Sequence, residues 1–138
     1  FVGNSSNLML GEKCSFNLYL EIKEPETKKI NVRIQIFNKD EKLINTLNTY
    51  HLNANKVINK KKQSFICVIE KLLLTPSTYR VGLQITDFIN RKVLFENEYV
   101  DEFSVELGDF YSTGKIPSGK NLGVFLSNHK WIVEETCN

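Results

Sequence analysis

Cysteine is scarce in this chain and badly spaced for chemistry. Cys14, Cys67 and Cys137 form no CxxC pair, so neither a local zinc site nor a redox motif is encoded. An odd cysteine count in a chain able to build its own core points to reduced thiols and a cytoplasmic compartment. Histidine is limited to His51 and His129, neither with a carboxylate, Cys or second His at ligand spacing. A metal centre or a nucleophile–base pair would need distant partners, so no cofactor and no catalysis are expected. No apolar run approaches the roughly 20 residues of a membrane-spanning helix, and no signal peptide is visible. Neither sign of charge is in excess. Eighteen Lys and Arg stand against sixteen Asp and Glu, a formal charge of +2, so the totals give no push toward nucleic acid or an anionic membrane.

What is present fits one globular domain. A chain of 138 residues suits a single domain that buries roughly two-thirds of its unfolded surface. It opens on Phe1 rather than Met, which leads us to expect a domain cut from a longer protein. Asn4-Ser5-Ser6 matches a glycosylation sequon, a match that an asparagine-rich chain produces by chance.

Alternation with period two dominates the pattern. Over residues 15–23, Phe16, Leu18, Leu20 and Ile22 share one side, opposite Asn17, Tyr19, Glu21 and Lys23. Over 30–37, Ile30, Val32, Ile34 and Ile36 oppose Asn31, Arg33, Gln35 and Phe37; over 79–86, Tyr79, Val81, Leu83 and Ile85 oppose Arg80, Gly82, Gln84 and Thr86. Side chains on a strand change face at each residue, so these read as half-buried strands with one wet face. Shorter strands are expected over 43–50, 65–72, 92–99, 102–106 and 122–126. Turn signals separate them at Glu24-Pro25-Glu26, Asn38-Lys39-Asp40, Thr75-Pro76-Ser77 and Asn90-Arg91. Two long loops are expected, over 51–62 and 108–121. No segment carries a capped helical stripe. The fold class that follows is all-β, an antiparallel β-sandwich or barrel.

Several short stretches invite a chemical reading. Gly114-Lys115-Ile116-Pro117-Ser118-Gly119-Lys120-Asn121 is one residue short of a phosphate-binding loop. Such a loop follows a buried strand and opens a helix whose N–H groups hold the anion. Here Asn121 precedes Leu-Gly-Val-Phe-Leu, a strand pattern, and Pro117 removes one N–H, so the stretch reads as a surface loop. Lys60-Lys61-Lys62 is a solvated run that could touch an anionic sugar or phosphate. Tyr79, entering a strand just after Leu74-Thr75-Pro76, fits a tyrosine corner, whose hydroxyl bonds back to the chain a few residues upstream. Trp131 reads as a packing plug for a sandwich edge or subunit contact. On the wet faces, Tyr19, Arg33, Gln35, Arg80 and Gln84 suit a sugar: planar polar groups pair with hydroxyls and a ring stacks on a pyranose. Pattern alone favours the plainer reading, in which Arg and Gln solvate an exposed sheet while Phe37 and Tyr19 contact a loop or a partner.

The last third carries a resemblance. Phe103-Ser104-Val105-Glu106 leads into Gly108-Asp109-Phe110-Tyr111-Ser112-Thr113-Gly114-Lys115-Ile116-Pro117, and Gly123-Val124-Phe125-Leu126 and His129-Lys130-Trp131 follow. This order resembles the closing segment of the C-terminal carbohydrate-binding domain of the Wzt-type ATPase in O-antigen polysaccharide ABC transporters. Gly11-Glu12, Ile34-Gln35-Ile36-Phe37-Asn38 and the Leu-rich turn up to Tyr79 are similar to earlier blocks of that family. The chain departs from it at Ser77 and near Glu41, where the family often has glycine. The resemblance implies an immunoglobulin-like or jelly-roll-like sandwich, fused behind an ATPase domain and forming a dimer in which the C-terminal strand can be exchanged. It implies a cytoplasmic place at the inner face of the inner membrane, reached through the transporter's transmembrane subunit. The ligand would be a finished O-polysaccharide with a chemically marked terminus, with no nucleic acid and no direct membrane insertion. The family's ligand-facing residues follow its glycan, so the site residues rest on strand parity: Tyr19 as stacking ring, and Arg33, Gln35, Arg80 and Gln84 as polar contacts. Competing readings are an immunoglobulin-like protein-interaction module and a fragment of an enzyme whose active site lies elsewhere.

Overall fold

The computed structural model describes residues 2–3, 7–23, 28–58, 61–119 and 121–134, with the backbone alone at 2–3. Cys137, the sequon, the Glu24-Pro25-Glu26 turn, Lys60 and Lys120 lie outside the described residues. The strands are β1 (Val2–Gly3), β2 (Asn7–Met9), β3 (Cys14–Glu21), β4 (Lys28–Phe37), β5 (Leu43–Asn48), β6 (Lys56–Ile58), β7 (Lys62–Ile69), β8 (Ser77–Asp87) and β9 (Lys92–Glu106). A three-stranded sheet runs β1-β3-β7. A six-stranded sheet runs β2-β9-β8-β4-β5, with β6 also on β4. All pairings are antiparallel except β2 with β9.

The apolar sides of the three strongest alternations meet between the sheets. Phe16 and Leu18 from β3 face Ile30 through Ile36 on β4 and Val81, Leu83 and Ile85 on β8. Phe103 of β9 ties the layers together. It stands edge-on to Phe16 with ring centroids 5.6 Å apart and stacks on Tyr79 at 5.4 Å. Cys14 and Cys67 are free thiols on the neighbouring strands β3 and β7, and burial pushes both up from the ordinary thiol value.

Local chemistry explains the turns. The Tyr79 hydroxyl donates to the carbonyl of Thr75, which is the tyrosine corner. Asn38 Oδ1 accepts from the N–H groups of Asp40 and Lys42, each at 3.0 Å. Glu41 in that turn takes φ 61°, the left-handed conformation that favours glycine, at the place where the resemblance expects one.

Some expectations change. The strands over 92–99 and 102–106 are one strand, β9, whose register against β8 shifts between Val81 and Leu83. That bulge sits opposite Gly82 and breaks the alternation. The loop over 51–62 contains a 3-10 turn, Tyr50–Leu52, and the short strand β6. Residues 122–126 form no strand. They make a single bridge, Phe125 to Leu74, with backbone bonds from Thr75 to Val124 and from Leu126 to Leu73. Over the described residues beyond Leu126, 127–134, the chain has no regular structure. Trp131 is 85% exposed beside the exposed Ile132 and Val133, so it plugs no edge of its own chain.

Candidate functional site

The outer face of the six-stranded sheet gathers four of the five expected site residues. Register places Arg33 between Asn48 of β5 and Gln84 of β8, and Gln84 opposite Glu96 of β9. One row along, Gln35 lies between Thr46 and Gly82; a further row pairs Phe37 with Arg80. Successive rows are two residues apart, roughly 7 Å. The result is a shallow band of amides, hydroxyls and guanidinium groups running along β4 and β8.

Each side chain has a definable state. Gln84 Nε2 donates to Glu96 Oε1 at 3.3 Å. Arg80 lays its guanidinium 4.1 Å from the centroid of the Phe37 ring and donates to the carbonyl of Glu98. It therefore holds Phe37 in place more than it reaches outward. Gly82 makes room for that ring: a Cβ there would lie 3.1 Å from Phe37 and 3.3 Å from the Glu98 backbone. Tyr99 closes this end, donating its hydroxyl to the Glu102 carboxylate, whose hydrogen bond raises the tyrosine pKa. At the other end Tyr50 and Phe88 pack edge to face at 5.5 Å. Asn31 positions that turn, its Oδ1 accepting from the Tyr50 N–H at 3.1 Å.

Arg33 differs from its neighbours. Its Nε is buried with no hydrogen-bond partner. A buried donor without a partner costs free energy, so such groups are found with a water or a ligand. Among the described residues the only ion pair is Lys13 with Glu70 at 3.7 Å, so no carboxylate neutralises Arg33 or Arg80.

Tyr19 does not join them. Its strand β3 pairs with β7 in the other sheet, so its outward face is the opposite face of the molecule. There it is exposed and lines the mouth of a cleft of about 800 Å³ between the β3 and β9 edges, with Tyr99 on the far lip. Leu18, Ile30, Leu83, Ile85 and Phe95 make the cleft mainly apolar. Sequence reasoning missed Thr46, Asn48 and Glu96 as members of the polar band. Parity within 43–50 and 92–99 was the signal available, and it needed the register to become useful.

The Gly114–Asn121 stretch folds without a phosphate-loop geometry among its described residues. The Asp109 carboxylate accepts from the N–H groups of Thr113 and Gly114 at 3.2 and 2.9 Å, and no helix follows. Among the described residues no three His, Cys, Asp or Glu side chains gather as metal ligands would.

Two closely faced sheets, a tyrosine corner and a polar outer band define an immunoglobulin-like or jelly-roll-like sandwich domain. More particularly, the fold is that of the C-terminal domain of Wzt. That crystal structure superposes with a TM-score of 0.70 at 12% identity, covering 93% of this chain and 74% of that one. An alkylpurine DNA glycosylase from Pseudomonas fluorescens, AlkC, contains a similar sandwich, with TM-score 0.52, 15% identity, and 75% of this chain against 28% of that one. A β-glucuronidase from Bacteroides uniformis does so at 0.50 and 17% identity, over 64% of this chain and 11% of that one. No family model and no curated protein matches the sequence.

Proposed function

We propose that this chain is a non-catalytic carbohydrate-binding module that takes an O-polysaccharide on the outer face of its six-stranded sheet. The observation that carries the reading is the likeness to the Wzt C-terminal domain over 93% of the chain. The polar band supplies the place. Arg33, Gln35 and Gln84 hydrogen-bond sugar hydroxyls or a terminal modification, and Arg80 holds the Phe37 ring that borders them. Tyr50 and Phe88 offer a stacking surface at the far end. The site performs no bond-making. It reads a finished chain and couples its completion to export through an ATPase domain and the transporter's transmembrane subunit, at the cytoplasmic face of the inner membrane.

A shallow site with a few hydrogen bonds and one ring binds weakly, on the order of micromolar to millimolar. Pairing two copies raises the effective concentration of sites. The exposed Trp131, Ile132 and Val133 support a dimer in which this closing segment lies on a second copy.

Titration of the domain with the producing organism's own long-chain polysaccharide, against an unrelated polysaccharide, tests the reading. Selective, saturable binding is expected. Absent or equal binding at millimolar glycan defeats it.

A further inference from the structure

One end of the sandwich collects cations from every element that reaches it. Lys28 and Lys29 open β4, and Lys56 of β6 pairs opposite Ile30 beside them. On the other sheet, Lys62 pairs with Glu21 where the β3–β7 ladder ends, next to Lys61 and Lys23. Arg91 and Lys92 complete the set in the β8–β9 turn, with Lys92 opposite Asp87. The carboxylates at this end, among the described residues, are Glu21 and Asp87. Asp87 is buried and its oxygens are taken by the Ile89 N–H and the Asn90 side chain at 3.0 and 2.9 Å. Among the described residues, cations at this end are therefore in clear excess. The formal charge of the whole chain is only +2, so the excess is local.

The same end exposes apolar side chains. Leu52 is 81% exposed in the turn before β6, Ile89 is 58% exposed in the β8–β9 turn, and Val57 is 54% exposed opposite Lys29. An anionic lipid surface uses both features: lysines sit over the headgroups, and apolar tips enter the headgroup–acyl boundary. A nucleic acid would use the charges and leave Leu52 and Ile89 in water. We propose that this end docks peripherally on an anionic lipid surface, with Lys28, Lys29, Lys56, Lys62 and Lys92 at the headgroups and Leu52 and Ile89 dipping beneath them. Adsorption of this kind needs no membrane-spanning segment, and it gives a use to Lys61 and Lys62, which the glycan site leaves aside.

Co-sedimentation with vesicles tests it. The protein should be retained by phosphatidylcholine mixed two to one with phosphatidylglycerol, and not by phosphatidylcholine alone. Added salt should release it, because screening shortens the reach of the charges to a few ångströms at about 1 M. Each lysine at the surface contributes about a fivefold factor, so Lys56→Glu, Lys62→Glu and Lys92→Glu together should weaken retention at least about a hundredfold. Leu52→Ser with Ile89→Ser should weaken it about tenfold or more on the headgroup-boundary argument, with thermal unfolding unchanged. The proposal fails if neither vesicle retains the protein or if both do equally. It also fails if the serine variant binds like the parent while an oligonucleotide or anionic polysaccharide competes through the same lysines, which would make this end a polyanion site.

Discussion

The two sheets bury similar faces and present different ones. Inside, Phe16 and Leu18 of the small sheet and Ile34, Ile36, Val81 and Leu83 of the large one are alike in kind and equally dry. Outside, the large sheet shows Arg33, Gln35 and Gln84 in adjoining rows. The small sheet shows Tyr19, Ile66 and Val68, all exposed. A buried face is selected for volume and shape, which many side chains satisfy. An outer face has no such constraint, so an ordered array of planar polar groups with a partnerless Arg33 Nε carries more functional information than any core residue.

The contrast can be broken in order of expected effect. Ile36→Ala removes volume from the shared core and should cost about 2–5 kcal/mol, lowering the urea midpoint and disabling both outer faces together. Arg33→Ala removes a charged donor from the large sheet alone. Glycan affinity should fall roughly ten- to a hundredfold, the equivalent of a charged hydrogen bond, while the thermal midpoint stays put. Tyr19→Ala on the opposite face is the matched control, and calorimetric titration should show its binding within about twofold of the parent. If Tyr19→Ala is the damaging change and Arg33→Ala the silent one, the assignment of faces is reversed.

Smaller effects sharpen the picture at the sheet ends. The Asn90 side-chain amide above all, with the N–H groups of Asn90 and Ile89 and the charge of Lys28, holds the Asp87 carboxyl below the usual carboxylate range despite its burial. Its folded value is depressed, so the stability it contributes is complete above the ordinary carboxylate pKa near 4 and is lost as pH falls through the folded value. Thermal midpoints measured against pH should therefore drop in acid for the parent and show a flatter acid limb for Asp87→Asn. The smallest change is a gain. Glu41→Gly relieves a left-handed residue at φ 61° and should raise stability by up to about 1 kcal/mol, with both outer faces untouched.

Much of this was readable from residues, and the remainder has physical reasons. The alternations of β3, β4 and β8 gave the dry and wet sides because a strand's period is local. The tyrosine corner was legible because Tyr79 reaches only four residues back, to Thr75. Parity says which side of a strand is wet and nothing about which sheet the strand joins, so Tyr19 was grouped with residues on the far side of the molecule. β1, β2 and β6 are two or three residues long and exist through long-range pairing, which leaves no periodic trace. The cation cluster was hidden by a near-zero total, because Lys23, Lys56 and Arg91 are brought together only by the return of three separate chain reversals to one end.

β9 gives this domain a strand with two lifetimes. At Ser104 and Val105 it is flanked by β2 on one side and β8 on the other. From Lys92 to Asp101 it has β8 on one side and, among the described residues, no strand on the other. Amide hydrogens near Phe103 and Val105 should exchange only with global opening, while the outward amides of the first half should exchange in local fluctuations. An open edge is also a template for another chain. Lys92, Glu96 and Glu98 along it supply the charge that discourages edge-to-edge growth, so the fast-exchanging half can stay available without becoming a seed for aggregation.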